Sequence, residues 1–161
     1  MGKQKGAGEG DDVQIIANNR KARHLYSILE TLEAGLVLTG TEVKSLRNGK
    51  ANMGDAYAVV ERNEVWLLNL HISPYEQGNQ FNHEPMRKRK LLLTRKEIRR
   101  LIGKTREKGL TLVPLRLFFR RGWAKVDIAL ARGKKSHDKR QDIAKRDATR
   151  EMQRAMSRKG R

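Results

Sequence analysis

The chain has 161 residues, enough for one domain with tails, and its 36 lysines and arginines exceed its 18 acidic residues to give a formal net charge of +18. Such an excess attracts phosphate polymers through counterion release, and the absence of cysteine excludes disulfides and thiolate chemistry. No apolar run approaches the roughly 18 residues of a membrane-spanning helix, and no signal-peptide pattern is visible, so the sequence predicts a cytoplasmic nucleic-acid binder.

Three segments of the chain differ in composition. Residues 1–12 carry four glycines and no apolar anchor, which predicts a disordered lead-in. A packed body is expected over residues 13–132, and a highly charged tail over residues 133–161.

The first half of the body combines extended segments with one short helix. Residues 28–38 form an apolar stretch that is expected to be extended. Thr39 and Glu42 are expected to cap the helix that follows, and Gly49 to end it. Residues 55–61 are expected to pair with the next strand. In that strand one alternating apolar set is predicted to face the core, namely Trp66, Leu68, Leu70 and Ile72.

The second half of the body contains one longer helix and a hairpin. Thr94 and Glu97 form a capping box, and Gly109 supplies the stop. Two alternating apolar sets flank a turn at residues 120–122 and predict half-buried antiparallel strands. They are Thr111, Val113, Leu115, Leu117 and Phe119, then Ala124, Val126, Ile128 and Leu130.

These elements predict the fold class. About six strands with two or three helices in some 120 residues indicate a mainly β protein. We predict a closed barrel of the oligonucleotide-binding type, with flanking helices and a basic C-terminal tail. The alternative is a half-open sheet packed on helices.

Signatures of catalysis and metal binding are absent from the sequence. Gly103-Lys104-Thr105 resembles the end of a phosphate-binding loop, but Ile98 stands where that loop needs its first glycine. The four histidines lack metal-ligand spacing, and there is no cysteine to join them. The sequence therefore predicts no enzyme, no metal and no cofactor.

Cations anchored beside core residues are the candidate RNA contacts. Lys44, Arg47 and Lys50 recur at three-residue spacing on the short helix and just past its end, while Val43 and Leu46 are expected to face the core. The alternative interpretation is a solvated helix face.

A second basic cluster occupies residues 87–90, immediately before the apolar residues 91–93. Aromatic residues make up only 5% of the chain, which favours a folded RNA held by its backbone and shape, with few bases stacked. The candidates for stacking are Tyr26, Tyr75, Phe81 and Trp123.

Five long strings give the sequence a family resemblance. They are AGLVLTGTEVKSLRNGKAN (34–52), NLHISPYEQGNQFNHEP (69–85), RKLLL (89–93), EKGLTLVPL (107–115) and ARGKKSHDKR (131–140). From residue 18 to the C-terminus the chain resembles the small protein B family. The resemblance implies an oligonucleotide-binding barrel bound to the tRNA-like domain of transfer-messenger RNA. The family delivers this RNA, with elongation factor Tu, to ribosomes stalled on messages without a stop codon.

Carried onto matching positions, the resemblance implies an RNA-binding surface, to which Arg47 is added by its place beside Lys44. The predicted surface comprises Tyr26, Glu33, Lys44, Arg47, Lys50, Asn52, Arg89, Lys90 and Leu91. Glu33 is an anion near phosphate, so its expected contacts are base amino groups or sugar hydroxyls. The alternative for Glu33 is an ion pair with a nearby lysine or arginine.

The tail is the second functional element that the resemblance implies, placed in the decoding centre and the vacant message channel of the small ribosomal subunit. The residues assigned to it are Lys134, Lys135, His137, Asp138, Lys139, Arg140, Met152 and Met156. Its thin apolar stripe cannot sustain a helix alone, which predicts disorder in the free protein and a helix from about residue 142 on the ribosome. The alternative is a permanently disordered basic tail.

Two other functions fit a basic chain with few aromatic residues. One is a ribosomal protein or initiation-factor-like barrel that binds ribosomal RNA directly. The other is a nucleoid-type DNA binder, since charge alone does not distinguish DNA from RNA.

Overall fold

The fold is seen in a computed structural model that describes residues 12–107, 109–134 and 136–159. The predicted disordered lead-in lies, but for Asp12, outside the described residues. The strands are β1 (Val13–Asn18), β2 (Tyr26–Leu36), β3 (Ala51–Asn52), β4 (Tyr57–Glu61), β5 (Glu64–Leu68), β6 (His71–Ile72), β7 (Arg89–Leu92), β8 (Leu110–Arg120) and β9 (Trp123–Gly133). The helices are α1 (Arg20–Leu25), α2 (Gly40–Arg47), a 3-10 helix (Glu76–Phe81), α3 (Arg95–Thr105) and α4 (Ser136–Lys159).

The strands close into a ring. The hydrogen-bonded order of the strands is β8, β4, β5, β7, β2, β9, and β9 also pairs with β8, which closes the ring. Strand β1 also pairs with β8, along residues 116–120 of that strand. Strands β3 and β6 form a separate two-stranded ribbon. The predicted closed barrel with flanking helices is confirmed, and the half-open alternative is wrong.

Both predicted hairpins form, with two-residue turns. Arg121 and Gly122 join β8 to β9 with φ of 52° and 81°, and Arg120 pairs with Trp123 on either side of them. Arg62 and Asn63 join β4 to β5 with φ of 51° and 62°. Positive φ at both turn residues matches the right-handed twist of the flanking strands.

Strand β8 is buried on both faces, which corrects one predicted pattern. Its register with β9 slips between Pro114 and Arg116, so the two faces exchange at this β-bulge. Before the slip Leu112 points into the barrel, and after it Leu117 and Phe119 do so. Val113 and Leu115 instead face outward, into a second small core with Ala22 of α1. The set from Thr111 to Phe119 therefore does not lie on one face.

The buried face of β5 is the opposite of the predicted one. Val65 and Leu67 are completely buried, whereas Trp66 and Leu68 are partly exposed. Leu70 and Ile72 are buried as predicted, because the strand ends at Leu68 and the chain turns before them.

Helices α2 and α3 form where they were predicted, each with one side in the barrel core. Helix α3 ends at Thr105, four residues before Gly109, so the prediction that Gly109 stops it is wrong. Leu46 of α2 and Leu101 of α3 are almost completely buried. At the start of α3, the Glu97 backbone N–H donates to Thr94 Oγ1, at 3.2 Å, and the Glu97 carboxylate accepts from the Thr94 backbone N–H, at 3.0 Å. Helix α2 ends at Arg47, and Gly49 follows with φ of 70°.

Helix α1 was not predicted, and Asn19 fixes it against the β8 bulge. The Asn19 Oδ1 accepts from the Ala22 backbone N–H, which caps the helix, and Nδ2 donates to the Pro114 carbonyl at 2.9 Å. The Asn19 backbone N–H donates to the Leu115 carbonyl at 2.8 Å. One buried side chain thus joins β1, α1 and β8.

We expect Asn19→Ala to lower the free energy of unfolding by about 1–2 kcal/mol, because it removes a helix cap and leaves the Pro114 carbonyl without its donor. Urea denaturation measures this loss. The neighbouring exposed variant Asn18→Ala is the control, and we expect it to stay within about 0.5 kcal/mol of the wild type. Equal losses in the two variants would contradict the role given to Asn19.

Candidate RNA interface

Three unpaired cations on and beside α2 form the centre of the candidate interface. We call Lys44, Arg47 and Lys50 the α2 basic face. All three side chains are exposed, and none forms an ion pair with the residues that the structure describes. Leu46, on the opposite side of the helix, anchors it in the barrel core. The predicted amphipathic arrangement is therefore present, with the charges held on a fixed element.

A buried charge cluster holds α2 in place. Glu42 and Arg89 are both completely buried, and the Glu42 carboxylate accepts from Arg89 Nε at 2.5 Å. The same carboxylate accepts from Arg87 Nη2 at 2.5 Å and from the Thr39 backbone N–H at 2.9 Å. Burial alone would raise the pKa of Glu42, but these hydrogen bonds outweigh it, so the pKa lies below its ordinary value.

The burial of the Arg89 and Leu91 side chains does not support the prediction that they contact RNA. Besides its bond to Glu42, the Arg89 guanidinium donates to the carbonyls of Leu70 and Pro85, so its donors are already used inside the protein. The Leu91 side chain is only 2% exposed and belongs to the barrel core. Neither side chain has surface to offer a phosphate. The sequence analysis assigned Glu42 only to the helix cap, and did not foresee that Glu42 is also the buried counterion of Arg89.

Lys90 is on the surface but is already paired. Its Nζ lies 2.9 Å from the Glu64 carboxylate, and its side chain is 39% exposed. Just before β7, Lys88 Nζ lies 4.4 Å from the centre of the Trp66 ring and 3.4 Å from the Glu61 carboxylate. These cations reach a phosphate only by exchanging one partner for another, so they are weaker candidates than the α2 basic face.

A rigid loop covers the side of α2 near Lys44. Lys44 Nζ lies 5.4 Å from the centre of the Tyr75 ring. The Asn82 side chain brackets Tyr75, accepting from its backbone N–H and donating to its carbonyl. His83 bridges the Thr41 hydroxyl, at 2.9 Å, and the Ile72 carbonyl, at 2.8 Å. Phe81, in this loop, is 81% exposed and remains a candidate for stacking on an unpaired base.

Tyr26 and the turn after Asn52 meet in one groove. The Asn52 Oδ1 accepts from the Gly54 backbone N–H at 2.8 Å, and Gly54 lines a concavity with Tyr26 and Tyr57. Lys50 lies two residues before Asn52 in the chain. The structure thus joins the Tyr26 groove to the α2 basic face through residues 50–54.

Glu33 lies apart from this surface. It is seven residues from Tyr26 along β2, about 23 Å in an extended strand. Its carboxylate accepts from Arg120 Nε at 2.8 Å, which is the ion pair foreseen as the alternative. On the neighbouring strand Asp127 pairs with Arg116 at 3.1 Å, and burial raises the pKa of Asp127 in spite of that arginine.

The tail leaves the barrel at Lys134, whose backbone N–H donates to the Leu25 carbonyl at 2.9 Å. Strand β9 includes Gly133, one residue beyond the predicted end of the body at residue 132. Helix α4 follows and begins at Ser136, so the structure differs from the disorder predicted for the free tail and from the predicted helix start near residue 142. Its described side chains, residues 143–157, are all exposed, including Met152 and Met156. Arg146 Nη2 lies 2.9 Å from His24 Nδ1 of α1. Lys135 and the side chains of His137, Asp138, Lys139 and Arg140 lie outside the described residues.

Within the described ranges, no three histidine or acidic side chains are grouped so as to hold a metal ion. Those ranges also contain no helix with the length and hydropathy that a bilayer crossing requires.

Comparison with known proteins decides the family. The family model described as SmpB protein matches residues 16–158. The chain belongs to the SmpB family. SmpB proteins bind RNA and are not enzymes, which confirms the prediction of a non-catalytic RNA-binding protein.

Individual relatives agree with this membership. The SsrA-binding protein of Desulforudis audaxviator is 66% identical, over 88% of this chain and 93% of that protein. The SsrA-binding protein of Trichodesmium erythraeum is 61% identical, over 94% of this chain and 97% of that protein. A solved structure described as "tmRNA-SmpB: a journey to the center of the bacterial ribosome" contains a chain that is 58% identical, with a TM-score of 0.64. The alignment covers 74% of this chain and 85% of that one.

Proposed function

We propose that this SmpB-family chain binds the tRNA-like domain of transfer-messenger RNA and delivers it to stalled ribosomes in the cytoplasm. The α2 basic face carries the proposal, since its three exposed cations have no ion-pair partner among the described residues and lie on, or just past the end of, a helix that a buried ion cluster fixes. Phosphate contacts from such anchored cations supply affinity and set the orientation of the RNA. Relatives named SsrA-binding protein support the same assignment.

The Tyr26 groove extends this surface for contacts with unpaired nucleotides. Tyr26 and Tyr57 offer aromatic faces beside Asn52, whose amide reads base edges or sugar hydroxyls. Glu33 contributes separately, since a carboxylate held by Arg120 still has a second oxygen to accept from a base amino group.

The tail has a different role in this proposal. It enters the decoding centre and the vacant message channel, with Lys134 to Arg140 at the decoding nucleotides and Met152 and Met156 further along. An intact message fills that channel and excludes the tail, so activity reports the absence of message. Elongation factor Tu accompanies the complex during delivery.

The test compares two double variants of equal charge. We expect Lys44→Gln with Lys50→Gln to weaken binding to the tRNA-like domain, and to lower the slope of log affinity against log salt by about two units, one for each lost phosphate contact. Filter binding at several salt concentrations measures both quantities. Arg95→Gln with Arg99→Gln, on the exposed side of α3, is the matched control.

A change of slope equal to that of the control would mean that Lys44 and Lys50 are solvated rather than bound to phosphate. Sequencing the RNA that copurifies with the wild type tests the partner itself. Recovery of ribosomal RNA without a tRNA-like species would contradict the proposed function.

A further inference from the structure

The end of α2 carries a pair of residues with a chemical reactivity of their own. Asn48 is the only asparagine of the chain that is followed by glycine. Asparagine before glycine is especially prone to deamidation, because glycine has no Cβ to keep its backbone nitrogen away from the neighbouring side-chain amide. Both residues are exposed, and the space that a side chain at Gly49 would occupy is open. Water therefore has access to the pair.

A helix cap holds this pair in an unreactive conformation. The Gly49 backbone N–H donates to the Leu46 carbonyl at 2.9 Å, and the Lys50 backbone N–H donates to the Ser45 carbonyl at 3.1 Å. Together with the φ of 70° at Gly49, these two bonds form a Schellman cap. The nitrogen that would attack Asn48 is thus bonded back to the helix. It becomes free only when the last turn opens.

The pair also lies within the α2 basic face. Arg47 precedes it and Lys50 follows it, and both cations are exposed without an ion-pair partner among the described residues. A carboxylate formed at position 48 would stand between two cations that the proposed function assigns to RNA phosphate. It would lower the local positive charge by one and repel phosphate. Loss of a neutral amide at this position therefore bears directly on RNA binding.

We propose that Asn48 is a deamidation site, which the cap at the end of α2 protects and bound RNA protects further. When the last turn opens, the Gly49 nitrogen forms a bond to the side-chain carbonyl carbon of Asn48. The bond from that carbon to the amide nitrogen breaks, and the Gly49 proton leaves with this nitrogen as ammonia. Water then hydrolyses the cyclic imide at either carbonyl, which gives aspartate or isoaspartate.

Both products alter the α2 basic face. Aspartate adds a negative charge, and isoaspartate also adds a carbon to the backbone, so the cap bonds of Gly49 and Lys50 no longer fit. An RNA that holds Arg47 and Lys50 stabilises the closed turn, because it binds the closed form and not the open one. A chain that stays without RNA therefore loses affinity with time. The effect of RNA rests on the proposed function, whereas the reaction at Asn48 does not.

Peptide mapping by mass spectrometry measures deamidation at position 48 over time. Three samples of the full chain are compared at neutral pH: unfolded in guanidinium chloride, folded alone, and folded with the isolated tRNA-like domain. We expect the unfolded chain to react fastest, since it has no cap. With the RNA at about ten times its Kd, the rate should fall about tenfold below that of the folded chain alone.

Three variants connect the reaction to RNA binding. Asn48→Asp is expected to weaken binding to the tRNA-like domain by about threefold to tenfold, through repulsion of a nearby phosphate. Asn63→Asp, an equal charge change at the exposed turn between β4 and β5, is the matched control and is expected to bind like the wild type. Asn48→Gln forms a cyclic imide far more slowly, so it should keep its affinity during an incubation in which the wild type loses it.

The inference is overturned if Asn48 deamidates no faster than the other asparagines of the folded chain, or if bound RNA does not slow the reaction. Equal binding by Asn48→Asp and Asn63→Asp also contradicts it. A wild-type chain that prefers the tRNA-like domain no more than an ordinary tRNA contradicts the proposed function instead. In that case the rates in the unfolded and folded chains still decide whether the cap protects Asn48.

Discussion

Glu42→Gln is expected to lower the free energy of unfolding by about 3–5 kcal/mol, the largest effect we expect from a single side chain of the barrel. The substitution keeps the shape of the side chain but leaves the fully buried Arg89 without a counterion. A buried cation without a partner loses its hydration and regains nothing. Urea denaturation followed by circular dichroism measures the change.

Two further variants separate this explanation from a general effect of charge. Glu61→Gln removes a surface partner of Lys88, where both side chains are about half exposed, and we expect it to cost less than about 1 kcal/mol. Glu42→Leu combined with Arg89→Met replaces the pair by apolar groups and should recover much of the stability. A loss in Glu42→Gln no larger than in Glu61→Gln would show that the buried pair is not what stabilises α2.

The pH dependence follows from the depressed pKa of Glu42. Because the pKa is lower in the folded state, the unfolded chain takes up the proton first as the pH falls. The contribution of Glu42 is therefore complete above its ordinary value of 4.5 and is lost as the pH falls through the folded-state pKa. We expect the stability difference between wild type and Glu42→Gln to shrink below about pH 4.5.

Ala148→Pro is expected to abolish peptide tagging on stalled ribosomes while RNA binding by the barrel stays within about threefold of the wild type. Proline inside a helix costs about 3 kcal/mol relative to alanine. Helix α4 cannot absorb this cost, because residues 143–157 are exposed and no core supports them. At about 1.5 Å per residue its 24 residues span about 36 Å, so a break at position 148 falls near the middle.

Ala148→Gln is the control, since glutamine is a good helix former and is expected to keep full tagging. Deleting residues 135–161 removes the tail and is expected to abolish tagging completely, while the hydrogen bond between Lys134 and Leu25 stays in place. Amide exchange across residues 143–156 should be fast in the free protein and slow on stalled ribosomes. Full tagging by the proline variant would exclude a helical probe and leave a flexible basic tether.

Local patterns predicted the outline of the fold but not the faces of two strands. Capping boxes, turn residues and alternation are local signals, and the helices and hairpins that they predicted all form. The bulge in β8 depends on Asn19, which is 95 residues away from Pro114 in sequence. No local pattern could reveal that long-range contact. In β5 both alternating sets are apolar, so periodicity alone did not decide which set is buried.

The candidate site shows the same division. The exposed position of Lys44 and Arg47 follows from the helical period, which the sequence displays, and Lys50 follows the glycine that comes after the helix. The burial of Arg89 depends on Glu42, 47 residues away, and the run of four cations at residues 87–90 does not itself show which of them is buried. The position of Arg20 and Arg23 required knowing that α1 packs beside the β8 bulge, although the two residues already had helical spacing.

The double burial of β8 also bears on how the chain is made. Neither the barrel core nor the small core around Ala22 can form before residues 110–133 are synthesised, because β8 and β9 both close the ring and cover Ala22. A copy whose synthesis stops before residue 110 is left with an open sheet, bare strand edges and unsheltered apolar side chains, the features that invite aggregation and proteolysis. Pro114 and Arg116 interrupt the apolar run of β8, so they also limit self-association of nascent chains that have just emerged.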